Sequence, residues 1–417
     1  MVMDEKEQSS TSINNQRKNI YILSFSLIVV MLGFGMVMPI FPFILTQMGA
    51  SGDEYGLLIA LYAIMQLIFS PVWGSISDQI GRKPVMLIGM AGVTLTLVMF
   101  GFATQLWMIF LARILSGVLA SAMMPTAMAY VGDCTSEKER GDAIGKLGGS
   151  LALGVILGPG IGGWLAGDSL TLPFFIAAGL SLVSLGLIAV ILPESLPPQA
   201  RQVSDKKIKF VDLPELWRAL LGPIGILLLM AFIVSFGATN FQAIFGLYAL
   251  EKFNFNPQQV GTILVVVGIV SAIIQGLLTG PLTKRFGEPL MIKVTLFTNA
   301  LGFLVLLLAD SYATVLLTTG IYVLSHALLR PSVQSLTSRR AVGGQGTAMG
   351  LNASFISLGQ IAGPIWAGIV FDINMSYPYL SGAVILFLGF LLSLFKVKEE
   401  PVKPVQVGSE GKTSLTY

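Results

Sequence analysis

Twelve separate stretches of about 20 predominantly apolar residues run through this chain of 417 residues. No other feature limits its fold so severely. Their approximate limits are 20–45, 55–77, 84–103, 106–132, 142–166, 171–192, 223–250, 257–283, 289–309, 313–338, 347–371 and 377–395. The runs are apolar throughout rather than alternating, so they read as spanning helices and not as barrel strands. Only 11% of the residues are charged and 54% are hydrophobic, whereas soluble proteins carry about 25% charge. That excludes cytosolic enzymes, nucleic-acid binders and secreted disulfide scaffolds as whole-chain readings. The first run is too long for a signal-peptide core and no small-residue cleavage site follows it, so it reads as a retained helix.

The basic residues orient the spans. Of the 25 Lys and Arg, 22 fall on the N-tail, the even-to-odd loops and the C-tail. Lys252 alone lies on the opposite side, and Arg113 and Arg330 lie inside spans. Under the positive-inside rule both termini are expected in the cytoplasm of a cell whose plasma or inner membrane holds the chain. The expected divisions are a tail over 1–19, a six-helix bundle over 20–192, a linker over 193–222, a second bundle over 223–395 and a tail over 396–417. Both tails are polar and expected to be disordered. Within the linker, 210–221 (FVDLPELWRALL) predicts a short amphipathic helix on the inner leaflet, with Asp212 as its N-cap and Pro214 in its first turn.

A repeat is written into the chain. Gly74 and Gly81 recur as Gly280 and Gly287, and Pro125 recurs as Pro331, at an offset of 206. Gly141 and Gly145 recur as Gly346 and Gly350, Gly158-Pro159 as Gly363-Pro364, and Pro173 as Pro378, at an offset of 205. Six helices per unit is an even number, so the two copies point the same way. This predicts an all-α membrane fold of two parallel six-helix halves with a substrate site between them near the midplane.

Several groups could carry function. Asp78 and Arg82, in the turn between spans 2 and 3, are one helical turn apart and can pair; the alternative is a generic positive-inside turn. Gly154, Gly158 and Gly162 fall on one face of span 5, where a neighbouring backbone can approach, and Pro159 bends that helix. Passive packing is the plainer reading of this run, which continues to Gly163. Ionisable groups inside spans are functional hypotheses by default. Arg113 is either a proton-coupling group or a structural arginine bound to carbonyls. Arg330, just before Pro331, is either functional or a partner for carbonyls freed by the kink. An unperturbed imidazole titrates near neutrality, which would suit His326 as a proton carrier, but a neutral, satisfied histidine fits as well. Gln66, Asn240, Gln242, Gln275 and Asn299 either line a cavity or tie helices together, and Phe34, Phe241 and Phe245 are candidate apolar contacts.

The segments "GFGMVMPIFP", "GSISDQIGRKP", "LARILSGVLASAMMP", "GVILGPGIGG" and "GQIAGPIWAGIVFDINMSYPY" together resemble the twelve-span drug:proton antiporters of the major facilitator superfamily, of the NorA and Bmr kind. The resemblance covers nearly all of residues 20–395. It implies a major facilitator fold and multidrug efflux. It also implies that Asp133 joins Asp78 and Arg82 in a charge cluster that locks the cytoplasmic side in the outward-facing state. Arg113 would then take part in proton coupling, and Gly154 to Gly163 would be the antiporter motif.

One departure bears on substrate. The acids that such exporters carry in spans 7 and 10 align with Gln242 and Ala327, and the span-1 aspartate of tetracycline exporters aligns with Val30. No Asp or Glu lies mid-span. A cation-recognising acid relay is therefore in doubt, and coupling would fall to Arg113, His326, Arg330 or the cluster. The expectation is a secondary exporter of small amphipathic compounds coupled to protons. A metabolite or sugar exporter of the same fold is the nearest alternative, and a transport-inactive sensor or scaffold the more distant one. With a net charge of only +3 no polyanionic partner is implied. A single histidine and a single cysteine, Cys134, preclude a His-cluster metal site and an internal disulfide. No G-x-x-x-x-G-K-[ST] loop or G-x-S-x-G elbow occurs, so an ATP-driven pump or an enzyme is not expected. The expected partners are a small-molecule substrate, protons and the lipid bilayer, with no cofactor, and the chain is expected to act as a monomer.

Overall fold

A computed structural model of the chain describes residues 2–167, 169–201, 213–341 and 344–397. Among these residues, twelve helices are long and apolar enough to cross a membrane. In chain order they are α1 (Lys18–Val37), α2 (Gly52–Ile80), α3 (Arg82–Phe102), α4 (Leu106–Cys134), α5 (Glu137–Leu165), α6 (Leu172–Val190), α7 (Gly225–Phe253), α8 (Pro257–Phe286), α9 (Glu288–Leu307), α10 (Tyr312–Arg339), α11 (Gln345–Ile373) and α12 (Tyr377–Lys396). Twelve crossings return the chain to the end where it began. That end is called the terminus side below, and the other the far side.

Proline and glycine place most of the interruptions. The first helix stops at Val37, before Pro39, and a separate short helix, Phe41–Gln47, follows. Pro125 has no amide hydrogen, and its ring crowds the carbonyl of residue 121. α4 accordingly breaks between Ala120 and Met123. α8 widens into a π-helical turn over Ile274–Leu278, and the prolines inside α2, α5, α10 and α11 leave those helices continuous. At its start the first helix extends back to Val2, where the polar sequence predicts an irregular tail. An existing apolar helix supplies the nucleus, and extension from it is cheap compared with initiation.

The linker helix forms over Leu213–Leu220, with Leu216 buried and Trp217 exposed. Its proposed N-cap, Asp212, and the C-tail beyond Val397 lie outside the described residues.

Each half has its own aromatic core. Phe41, Phe100 and Phe174 form one triangle, with ring centroids 5.3, 5.7 and 6.4 Å apart. Tyr322 anchors the other, 4.6 Å from Phe241 and 5.0 Å from Phe303. Large apolar side chains such as Leu95, Leu182, Leu277 and Leu388 stand exposed around the outside. In water they would be a liability; in hydrocarbon they are the coat a spanning bundle needs.

The halves touch through two matched glycine crossings on the far side. A Cβ on Gly163 of α5 would lie 3.0 Å from Cα of Gly261 on α8, and one on Gly261 would lie 3.0 Å from Cα of Gly163. A Cβ on Gly56 of α2 would lie 3.1 Å from Cα of Gly368 on α11, and one on Gly368 would lie 3.0 Å from Cα of Gly56. Gly56 and Gly261 are 205 positions apart, as are Gly163 and Gly368, so the two crossings are copies. Asp372 adds a polar tie: its carboxylate accepts from the amides of Gly52 at 2.7 Å and Asp53 at 2.9 Å, which open α2.

Candidate transport site

Behind the far-side crossings the halves enclose a cavity of about 220 Å³. Phe34, Tyr62 and Arg113 face it from the first half, and Thr239, Gln242 and Gln360 from the second. Gln66 belongs to its wall and also to that of a larger space of about 550 Å³. The larger space is bounded by Ser70, Pro71 and Met124 on one side and by Thr347, Gly350 and Ser354 on the other. Those residues belong to the terminus-side portions of α2, α4 and α11. The molecule is therefore closed on the far side and open on the terminus side.

Arg113 is 2% exposed. Its Nε donates to the carbonyl of Leu58 at 3.3 Å. Its guanidinium lies 4.9, 5.5 and 5.6 Å from the ring centroids of Tyr62, Phe34 and Phe41. No carboxylate pairs with it among the described residues. A guanidinium is the cation best suited to such a setting, being planar, weakly hydrated and able to stack on rings.

His326 and Arg330 share an adjoining pocket of about 80 Å³ with Gln242, Gln334 and Gln360. The His326 ring stacks on Tyr322, with centroids 5.6 Å apart and planes inclined by 9°. Arg330 is exposed to the cavity, and no hydrogen bond or ion pair holds it among the described residues. It does not bond the carbonyls freed by Pro331.

The expected substrate contacts divide. Phe34, Gln66 and Gln242 line the cavity. Asn240, Phe241 and Phe245 do not, which corrects that expectation for these three. Asn240 is 0% exposed and donates to the carbonyl of Pro378 at 3.2 Å, tying α7 to α12. Phe241 and Phe245 are buried against each other, 5.0 Å apart, inside the second half. The reason is helical phase. Thr239 and Gln242 are three residues apart and share the cavity face, while 240, 241 and 245 fall on the other side of α7.

The glycine run of α5 serves two contacts. Gly154, Gly158 and Gly162 pack on α1: a Cβ on Gly158 would lie 2.8 Å from Cα of Gly35, and one on Gly162 would lie 2.6 Å from Cα of Met36. That face lies within the first half. The other side of the run, Pro159 through its carbonyl and Gly163, makes the crossing with α8. The second half repeats the arrangement, with Gly359 and Gly363 of α11 against α7.

On the terminus side Arg82 meets Asp78 at 2.5 Å and Asp133 at 3.0 Å. The expected charge cluster is assembled, but within the first half and while the terminus side stands open, so its pairing does not by itself lock that side. Sequence reasoning missed its fourth member. The carboxylate of Glu194, just past α6, accepts from the amides of Arg82 at 2.8 Å and Lys83 at 3.1 Å, satisfying orphan donors at the start of α3. Gly81 turns the chain there at φ 110°, and a Cβ on it would crowd Glu194 at 2.9 Å from Cδ. The signal was available: Glu194 is the acid that directly follows the Pro193 closing span 6. In the second half Glu288 opens α9, and Arg339 and Ser335 bind it at 2.8 and 3.0 Å.

Comparison with known proteins places this architecture. The profile of the Major Facilitator Superfamily matches residues 23–231 and 227–416. Multidrug resistance protein 2 of Bacillus subtilis (strain 168) is 35% identical over 384 residues, covering 92% of this chain and 96% of that protein. Quinolone resistance protein NorA of Staphylococcus aureus (strain Mu50 / ATCC 700699) is 27% identical over 380 residues, covering 91% and 96%. Among solved structures, the nucleoside transporter NupG superposes with a TM-score of 0.76 at 16% identity, covering 93% of this chain and 100% of that one.

Proposed function

The chain belongs to the Major Facilitator Superfamily and is a multi-pass membrane transporter of small molecules; from that premise we propose that it exports small amphipathic compounds by alternating access, driven by proton entry. The observation that carries this reading is the pair of glycine crossings on the far side together with a cavity open on the terminus side. Two rigid halves that touch at one end and part at the other need only rock about the central cavity to exchange access. With the termini in the cytoplasm of the plasma or inner membrane, the open side faces the cell interior, where a substrate for export would enter. The names of the Bacillus and Staphylococcus relatives support multidrug export as the class.

The central contacts in this reading are Phe34, Gln66, Gln242 and Gln360. Asp78, Arg82 and Asp133 act in the inner gate, Gly154, Gly158 and Gly162 in the packing of α5 on α1, Pro159 and Gly163 at the crossing where α5 and α8 pivot, and Arg113, His326 and Arg330 in proton coupling. The chain works as a monomer, each half using the other as its gate. The wall of the central cavity contains no acid, and that favours a metabolite exporter of the same fold as the second reading.

Reconstituted proteoliposomes with an imposed pH gradient decide it. Export predicts that a panel of amphipathic drugs moves against its gradient only when protons run the opposite way, and that a protonophore stops the movement. Drug movement indifferent to the gradient overturns proton coupling. Movement of small sugars or metabolites but no drug favours the second reading.

A further inference from the structure

The pocket around Arg330 is lined by polar groups and carries no acid. Five polar side chains without a hydrogen-bond or ion-pair partner among the described residues face its 80 Å³: His326, Arg330 and Gln334 from α10, Gln242 from α7 and Gln360 from α11. The two hydroxyls in the same wall are already committed. Ser235 donates to the carbonyl of Ile356 at 2.7 Å, and Thr239 donates to that of Ser235 at 2.8 Å. The free groups are thus one permanent cation, one imidazole and three carboxamides, with no acid in the wall. His326, Arg330 and Gln334 are spaced four apart, so they form one polar stripe down α10. A guanidinium held between low-dielectric walls with no counter-charge attracts an anion, and its planar fork matches a carboxylate through two parallel hydrogen bonds.

Size and connection narrow the ligand further. A water needs about 10–15 Å³ of such space, so 80 Å³ admits a carboxylate head but not a drug-sized body. The pocket shares Thr239, Gln242 and Gln360 with the 220 Å³ cavity, whose opposite wall is Met31, Phe34, Met38, Ile59 and Tyr62. The body of an amphiphile can rest there with its head at Arg330. The Phe34 and Tyr62 rings stand 5.3 Å apart, and both lie against the Arg113 guanidinium. The aromatic surfaces that could otherwise hold a substrate cation already contact one.

We infer that this transporter selects amphipathic monocarboxylates, with the carboxylate bound by Arg330 and the surrounding carboxamides and the apolar body resting against Phe34 and Tyr62. The inference rests on the export reading for its biological direction but not for the binding itself.

The test uses the full chain in lipid nanodiscs and two fluorescent probes, 11-(dansylamino)undecanoate and its primary carboxamide, with empty nanodiscs subtracted. The carboxylate is expected to bind about tenfold or more tightly than the amide. Arg330→Gln should lower the carboxylate's affinity to near that of the amide and weaken the amide much less, while Arg330→Lys should retain part of the preference. Gln242→Glu, which adds an acid to the same wall without touching Arg330, should weaken the carboxylate selectively. Equal affinities for the two probes, no saturable carboxylate binding, or a preference that survives Arg330→Gln overturns the inference. Proteoliposome transport separates it from the export reading. Carboxylate-selective binding without transport defeats export and leaves the site standing; transport without the preference does the reverse.

Discussion

Arg339 grips Glu288 with its Nη1 2.8 Å from both carboxylate oxygens, and these two residues stand 206 positions after Asp133 and Arg82. The pair that fastens α3 to α4 in the first half is therefore repeated between α9 and α10 with acid and base interchanged. The inversion reaches the preceding turn, where Lys284 occupies the position equivalent to Asp78. Duplication preserved the need for an ion pair at this corner and not its polarity, because a contact between opposite charges is symmetric under exchange.

That symmetry is testable. Glu288→Arg alone should place two guanidiniums together and reduce transport to about a tenth or less, a loss equivalent to about 1.4 kcal/mol. Adding Arg339→Glu should restore most of it. A double variant no better than the single one would show that polarity, and not merely pairing, is required.

Asp78→Asn should impair transport while the protein still inserts and folds. Arg82 keeps Asp133 at 3.0 Å, and Asp78 is the more exposed partner, so the stability change should be about 1 kcal/mol or less. The charge proposed to act in the inner gate is nevertheless lost. Transport at the parental rate by a well-expressed variant would remove Asp78 from the gate.

Gly158→Leu should abolish transport, whereas Gly222→Leu should not. A side chain on Gly158 meets the backbone of α1 at Leu32 and Gly35, 2.8 Å away. Overpacking of this kind costs about 1–3 kcal/mol or more. Gly222, at the end of the linker helix, has a nearest neighbour at 3.2 Å, the carbonyl of Ala219. Equal transport by the two variants is the result that would defeat the close-packing argument.

Asp372→Ala should loosen the far side. It deletes the acceptor of two amide hydrogen bonds at the start of α2, each bond to a charged group contributing about 1.5–3 kcal/mol. The population should shift toward opening on that side. Labelling of a cysteine introduced at Gln258, in a Cys134→Ser background, should accelerate; an unchanged rate would mean that the glycine crossings suffice for closure.

Permanent quaternary cations should be poor substrates. An unpaired buried charge costs several kcal/mol even after relaxation, and the central wall offers Arg113 and no acid. Introducing Gln242→Glu, which puts an acid in that wall, should raise export of a quaternary dye about tenfold in drug-accumulation assays. Strong parental export of the dye, unaltered by Arg113→Ala, would contradict this.

Much of this protein was legible before any coordinates. Twelve apolar runs, an even repeat at offsets of 205 and 206, and basic residues concentrated on alternate loops determine spanning helices in two parallel halves, because hydrocarbon tolerates no unpaired backbone and each half needs an even count. The pairing of Asp78 with Arg82 follows from one helical turn of spacing, and the crowding around Gly158 from a stripe of small residues. Other relations needed the tertiary structure. Whether Asn240 or Gln242 faced the cavity depended on the rotational setting of α7, which an almost uniformly apolar helix does not encode in its pattern. The cap that Glu194 places on α3, and the freedom of Arg330 where Arg113 is held, join or separate residues distant in sequence. Which end of the molecule was closed depended on contacts between halves that the same sequence must be able to make and break. The repeat is common to both ends of the molecule, and only packing in three dimensions decides which end is closed.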